Sequence, residues 1–486
     1  MQKKENEQSN RSVNRKEIHN GEILFITILV SVLMFAVIWN IVDFMLHEKE
    51  EAINNSFNPR QELLASQNIR GSIYSKDGEV LAKTRILPDG TEERYYPYEN
   101  LFSHVVGYST KGKTGIEYSE NMKLLSSHAS ISNKIQNELN AEKNIGDSVI
   151  TTLDVSLQQV AYEALGVYSG AIIVTEPSTG KILAMVSKPD YDPNEIAYIW
   201  EDLVGDETST VLLNRASQGL YPPGSTFKIV TALEYYRQNN GDVSGYNYSC
   251  NGHFTKGGST IRCYHGQNHG SVGFERSFAK SCNSSFANIG TSLDIAEFQN
   301  TCRDLLFDSD LKLQIPYKRS MFQLTETDND DLVMQTSIGQ GKTQITPLHL
   351  NMITAAIANK GKCMTPYVVD SLESATGSVV KKNVPSEETV MMTEEEAAFM
   401  TGLMTEVVLS GTASKLDGLS YTAAGKTGSA EFSANKDDSH AWFTGFAPAQ
   451  DPQVCVTIIV ESAGSGGDYA VPIAKRIFDH YFETNS

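Results

Sequence analysis

Tyr221-Pro222-Pro223-Gly224-Ser225-Thr226-Phe227-Lys228 is the stretch on which the reading of this 486-residue chain turns. Pro-Pro-Gly cannot lie inside a helix, and an apolar run with helical spacing starts at Phe227. Ser225 is therefore expected at a helix N-terminus, where free backbone N–H groups and the helix dipole favour negative charge. Residues three apart share a helix face, so Lys228 can reach the serine hydroxyl. A lysine is a base only when neutral. Burial and a second cation favour that state, and Lys426 is the candidate for the second cation. The plainer reading is an N-cap serine followed by a solvated lysine.

Spacing alone decides nothing. Serine and lysine three apart also occur at Ser178 and Lys181, Ser277 and Lys280, Ser309 and Lys312, Ser378 and Lys381, and Ser433 and Lys436. Ser225 is set apart by two later motifs in a fixed order. Ser281-Cys282-Asn283 opens a second apolar helical run. It reads as a hydroxyl that relays a proton and an amide that holds substrate and base. As an isolated tripeptide, a helix cap explains it better. Lys426-Thr427-Gly428-Ser429 then sits in an expected strand, where a cation and a hydroxyl at one edge suit a substrate carboxylate. Gly428 permits close approach of another backbone, as an added peptide strand requires. Lys113-Thr114-Gly115 repeats the tripeptide but precedes Ser225 in a different region, and reads as a chance match.

Residues 23–42 (ILFITILVSVLMFAVIWNIV) carry no charge and are long enough to cross a bilayer as a helix. A cleaved signal peptide would have a shorter apolar core and a small-residue cleavage site. Asp43-Phe44-Met45-Leu46 is a poor one, so an uncleaved anchor is expected. Five Lys and Arg precede the span and two follow within 20 residues, which puts the N-terminus in the cytoplasm. The formal charge of the whole chain is −19, and residues 23–486 carry −20. Such a chain is a poor ligand for nucleic acid.

The six cysteines, Cys250, Cys263, Cys282, Cys302, Cys363 and Cys455, all follow the span. Cys250 and Cys263 flank a Gly-rich stretch and can pair across a hairpin, or stay as buried thiols. Cys263, His265 and His269 have loose metal-ligand spacing that matches no defined zinc pattern.

Four segments are expected: a tail at 1–22, an anchor at 23–42, a small β-rich spacer at 43–150, and a large α+β domain at 151–486. Residues 46–60 read as a tether and residues 69–82 as a hairpin around Lys76-Asp77-Gly78. Residues 94–98 and 102–108 read as irregular β structure and 124–143 as a surface helix. Asp154 is a plausible N-cap for a helix over 157–165. Residues 170–187 form a hairpin, and strands return only at 421–431, 441–447 and 453–461. The middle reads as helical, at 227–236, 274–293 and 346–359, and a closing helix is expected at 476–482. Strands at both ends with helices between predict one antiparallel sheet built from both termini.

In these motifs the chain resembles the class B penicillin-binding proteins, monofunctional D,D-transpeptidases of peptidoglycan synthesis, in their short PbpA-like form. The likeness runs through IRGSIYSKDGEVLA, GAIIVTEPSTGKILAMVSKPDYDPN, NRASQGLYPPGSTFK, SCNSSF, TSIGQG, KTGSAE and HAWFTGFAP. It implies a penicillin-binding transpeptidase fold behind a spacer domain. It implies Ser225 as the acylated nucleophile, Lys228 as its base, Ser281 and Asn283 as aids to proton transfer and substrate placement, and Lys426 as a catalytic cation that also meets the terminal carboxylate. Thr427, Gly428 and Ser429 would bind the substrate's terminal region, and the N–H groups of Ser225 and Ser429 would form an oxyanion hole. Cys282 fills a variable position without a chemical role. The implied substrates are D-Ala-D-Ala stem peptides and an acceptor amine, with β-lactams as acylating inhibitors. No cofactor and no metal are implied. The implied partner is a membrane glycan polymerase of the SEDS family. A β-lactamase or β-lactam sensor shares the motifs, but a lactamase needs a further base, and Glu297 to Asn300 is a weak match for one. An inactive scaffold of a wall-synthesis complex is the reading of another class.

Overall fold

The computed structural model describes residues 2–45, 58–431 and 439–485. It divides into two units, 1–62 and 63–486. The expected tether falls mostly outside the described residues. In the first unit a single helix, Gln2–Asp43, contains the apolar stretch Gly21–Asp43, none of it buried. At 1.5 Å per residue its 23 residues are long enough for a bilayer core.

Among the described residues the second unit holds two large sheets and four two-stranded ones. The larger-domain sheet has five antiparallel strands in the order Ala424–Glu431, Ser439–Ala447, Val454–Val460, Gly170–Thr175 and Ile182–Lys188. Both chain ends of the domain thus meet in one sheet, as the pattern predicts. Val454–Val460 and Gly170–Thr175 are buried at every position, because helices cover both faces. Val155–Leu165 and Ala470–Thr484 pack on one side and Pro347–Ala358 on the other. Two of these helices start where expected. Asp154 accepts the N–H of Leu157 at 2.9 Å, and Thr346 accepts that of His349 at 3.2 Å. The closing helix is longer than the expected 476–482, since Val471, Ile473, Ala474, Ile477 and Phe478 continue its buried face.

The second sheet has six strands: Val379–Lys382, Val369–Glu373, Ser148–Thr151, Ile73–Tyr74, Val80–Ile86 and Glu92–Tyr95. The hairpin around Lys76-Asp77-Gly78 is present, with Ile73 opposite Ala82. Residues 369–382 come from far along the chain and extend this sheet by pairing Leu372 with Val149. Behind it lies a buried ion network. Glu117 accepts Arg70 Nε and Arg94 Nε, each at 2.7 Å.

Three expectations need correction. Residues 102–108 are helical, not β: Glu99–Phe102 forms a 3-10 turn and Ser103–Val106 an α turn, with Phe102, Val105 and Val106 all buried. Burial on every side erases the periodicity that separates helix from strand. The surface helix is only Ile131–Leu139. The middle is not purely helical either. It holds four-residue strands at Asn247–Cys250, His253–Lys256, Ser259–Arg262 and Gly270–Gly273, too short and too polar to show alternation.

Candidate active site

The turn at Pro223-Gly224 is fixed from two directions. Tyr221 exchanges backbone hydrogen bonds with Ile345, and the Gly224 N–H donates to Gly339 O at 2.9 Å. A 3-10 turn, Gly224–Phe227, then runs into the helix Lys228–Gln238, so Ser225 stands one turn before the α-helix proper. Gly224 has φ +53°, and a Cβ there would meet Ser429 O at 2.9 Å. The serine turn therefore lies directly against the strand Ala424–Glu431. Trp442 on the next strand donates its indole N–H to Pro222 O at 3.2 Å and holds the two together.

Lys228 is fully buried. Its Nζ lies 2.9 Å from Ser225 Oγ, 2.8 Å from Ser281 O, 2.7 Å from Asn283 Oδ1 and 3.2 Å from Ser281 Oγ. The carbonyl oxygens of Ser281 and Asn283 can only accept, so they take two N–H bonds of a neutral amine. The lone pair is left for the two hydroxyls, of which Ser225 Oγ at 2.9 Å is nearer than Ser281 Oγ at 3.2 Å. Burial drives the Lys228 pKa down to about 7, so the neutral form is accessible near neutrality.

Lys426 Nζ lies 3.0 Å from Ser281 Oγ and donates to Thr427 O at 2.9 Å. Ser281 Oγ thus bridges the two lysines. Burial first, and then the neighbouring Lys228, push Lys426 well below its ordinary pKa. For Lys228 the leading cause is burial rather than a neighbouring cation.

Ser281 sits in the break between helices Phe274–Ala279 and Asn283–Gly290, and Asn283 opens the second. Ser281 adopts φ +54°, an uncommon backbone for a residue with a Cβ. No side chain caps the second helix, which removes the helix-cap reading. Asn283 Nδ2 donates to Arg262 O at 3.1 Å.

Ala424–Glu431 is an edge strand of its sheet. With its amide oriented to satisfy both groups, Gln340 donates to Glu431 O and accepts from Glu431 N–H, each at 3.1 Å. Backbone groups alternate sides along a strand. Those of Ser429 and Thr427 therefore point to the same open edge, between Gln340 and Ser225. Gly428 lies against the serine turn: a Cβ there would meet Thr226 Cγ2 at 3.1 Å and Pro223 O at 3.2 Å. The close approach it permits is within the chain. A cleft of about 650 Å³ runs along this edge, lined by Ser225, Ser281, Asn283, Thr427, Gly428 and Ser429 among others. Lys113-Thr114-Gly115 and Glu297 do not line it.

Gly339 and Gln340 carry structural work that no local motif assigns to them, although they lie in the TSIGQG stretch. Gly339 has φ +80°, and a Cβ would fall 1.9 Å from Gly224 O. The cysteine expectations also change. Cys250 Sγ and Cys263 Sγ are 3.8 Å apart, both thiols free, beside His269 and Cys282. His265 is not part of this group. Cys282, expected to have no role, is.

The fold is that of the penicillin-interacting serine acyltransferases. The penicillin binding protein transpeptidase domain matches residues 170–479, and the penicillin binding protein A dimerisation domain matches residues 70–149. The chain belongs to the penicillin-binding protein transpeptidase family. It is 31% identical over 439 residues to the peptidoglycan D,D-transpeptidase PbpA of Mycolicibacterium smegmatis, covering 84% of this chain and 87% of that protein. Among solved structures, the D,D-transpeptidase domain of a peptidoglycan glycosyltransferase from Eggerthella lenta superposes with a TM-score of 0.78 at 29% identity, covering 86% of this chain and 99% of that one. Penicillin-binding protein A from M. tuberculosis, as its ceftriaxone acyl-enzyme complex, gives 0.77 at 29% identity, with coverage of 86% and 99%.

Proposed function

We propose that this protein is a peptidoglycan D,D-transpeptidase that works through a Ser225 acyl-enzyme and is acylated there by β-lactams. The observation that carries the residue roles is the 2.9 Å approach of Ser225 Oγ to a buried Lys228 whose other donors face acceptors only.

The donor stem peptide lies along the open edge of Ala424–Glu431 as an added strand. Its terminal carboxylate meets Lys426, Thr427 and Ser429, and that charge restores the proton to Lys426. Lys228 takes the hydroxyl proton as Ser225 Oγ attacks the D-Ala-D-Ala carbonyl. The resulting oxyanion is held by the N–H groups of Ser225 and Ser429; one such donor is typically worth about 10²–10³ in rate. Ser281, bridging Lys228 and Lys426, passes a proton to the leaving amine, and D-Ala departs. An acceptor amine then attacks the ester, gives its proton back through Lys228 and frees Ser225. Asn283 keeps Lys228 aligned.

The anchor helix and the lysine and arginine asymmetry around it support a single-pass protein with a cytoplasmic N-terminus and its catalytic unit outside. Residues 43–150 serve as the pedestal and 151–486 as the catalytic domain. A SEDS-family polymerase is the proposed partner of the anchor and pedestal.

A transpeptidase releases one D-Ala per cross-link formed from a D-Ala-D-Ala donor and an amine acceptor. Equal yields of both products, lost in Ser225→Ala, support the reading. Rapid turnover of penicillin without cross-linking would instead assign a β-lactamase. Cross-linking retained in Ser225→Ala would leave the serine as scaffold.

A further inference from the structure

Residues 247–273 make two separate two-stranded sheets of four-residue strands. Isolated hairpins of this length are marginal in water. The buried cluster beneath them consists only of Cys250, Cys263, Cys282 and Val272, with Tyr248 packed against it. Ile261 and Phe254 tie the other hairpin to the main core, but beneath Asn247–Cys250 and Gly270–Gly273 the cluster has one valine, and small modules of this kind need a staple.

The thiols are arranged as one. Cys250 ends the strand Asn247–Cys250, Cys263 follows Ser259–Arg262, His269 precedes Gly270–Gly273, and Cys282 lies before the helix Asn283–Gly290. The four ligand atoms lie within 4.8 Å of one another. Cys250 Sγ to Cys263 Sγ is 3.8 Å, Cys263 Sγ to Cys282 Sγ is 3.7 Å, and Cys250 Sγ to His269 Nδ1 is 3.4 Å. In a tetrahedral zinc site with Zn–S of about 2.3 Å and Zn–N of about 2.0 Å, the S···S edge is about 3.8 Å and the S···N edge about 3.5 Å. These three edges fit, and the other three lie within 4.8 Å.

The surroundings suit thiolates. Gly252 N–H points at Cys250 Sγ (3.4 Å) and Ser284 N–H at Cys263 Sγ (3.5 Å). Ser284 Oγ lies 3.2 Å from Cys250 Sγ and 3.3 Å from each of the other two sulfurs. A disulfide explains less, because it uses two of the three clustered thiols and leaves the histidine without a part.

We propose that Cys250, Cys263, His269 and Cys282 form a closed Cys3His zinc site that clamps the Ser281–Asn283 turn to the neighbouring hairpin. Cys282 lies between the two residues whose oxygens hold Lys228. Cys263 directly follows Arg262, whose carbonyl accepts Asn283 Nδ2 at 3.1 Å. His269 and Arg262 also line the cleft at its wall. The metal therefore fixes the loop at φ +54° around Ser281 from one residue away. It contributes no open coordination position and takes no part in the acyl transfer. Binding displaces the thiol protons to solvent, so loading weakens in acid.

The test uses the full chain purified in detergent without added metal. Mass-spectrometric metal analysis is expected to find one zinc per chain, and X-ray absorption three sulfur and one nitrogen neighbours. Cobalt(II) substitution of the wild-type chain should give thiolate charge-transfer and tetrahedral d–d bands, a readout independent of variants that fail to fold. Cys250→Ser and His269→Ala should lose the metal. The positioning part rests on the proposed acylation of Ser225. Stripping zinc should slow labelling by a fluorescent penicillin about ten- to a hundredfold, with recovery on adding zinc or cadmium. A metal-free chain with a Cys250–Cys263 disulfide, or iron in place of zinc, overturns the site. Zinc present with labelling unchanged on its removal overturns the clamp. Zinc present with no labelling at all contradicts the proposed activity and leaves the site standing.

Discussion

Acylation of Ser225 should switch on as pH rises through about 7, because only neutral Lys228 can accept the hydroxyl proton. Burial lowers the Lys228 pKa from its ordinary value to about 7. The reactive form is the deprotonated one, so the rate is low on the acid side and reaches a plateau on the alkaline side. One pH unit below the midpoint about one lysine in ten is neutral, and one unit above about nine in ten. The second-order constant for a penicillin should therefore rise roughly tenfold between about pH 6 and about pH 8. Lys228→Arg sharpens the test. It keeps a cation and hydrogen-bond donors beside Ser225, but a guanidinium does not deprotonate in proteins. Loss of a positioned base costs about 10²–10⁴ in rate. Stopped-flow measurement with a fluorescent penicillin reads both effects. A flat profile, a rate that falls as pH rises through 7, or an arginine variant within about threefold of the parent would rule out neutral Lys228 as the base.

Two further outcomes separate the site from its supports. Gly339→Ala places a methyl group 1.9 Å from Gly224 O at φ +80°. The left-handed backbone alone costs about 1–2 kcal/mol, so both the melting temperature and the penicillin-labelling rate should drop. Glu117→Ala leaves Arg70 and Arg94 buried without their shared partner, at a cost of about 3–5 kcal/mol. Denaturant midpoints should show that loss while folded molecules still label at the parent rate.

The parts of the fold legible in the sequence are those set by neighbours along the chain. Pro222-Pro223-Gly224 marks the serine turn, Asp154 caps its helix, the pattern over 346–359 marks another, and Pro177 to Gly180 turns the hairpin that leads into the central sheet. Lys228 beside Ser225 follows from helical spacing. The hidden parts depend on partners far away. Residues 369–382 become strands because Val149 and its neighbours offer an edge. Gly339 matters only because Gly224 O lies where its side chain would be. The four residues of the thiol cluster span 250 to 282, and their irregular spacing matches no zinc pattern. The loose spacing pointed to His265 and left Cys282 without a role, yet Cys282 is the residue in the cluster. The burial of both lysines, which sets the chemistry, likewise arises from packing that no local pattern records.

The most direct measurement is the intact mass of the full chain after incubation with a penicillin, followed by a peptide map. One covalent penicillin per chain is expected, on the peptide containing Ser225, persisting through digestion and absent from Ser225→Ala. An adduct on another residue, or one that forms undiminished in Ser225→Ala, would contradict it.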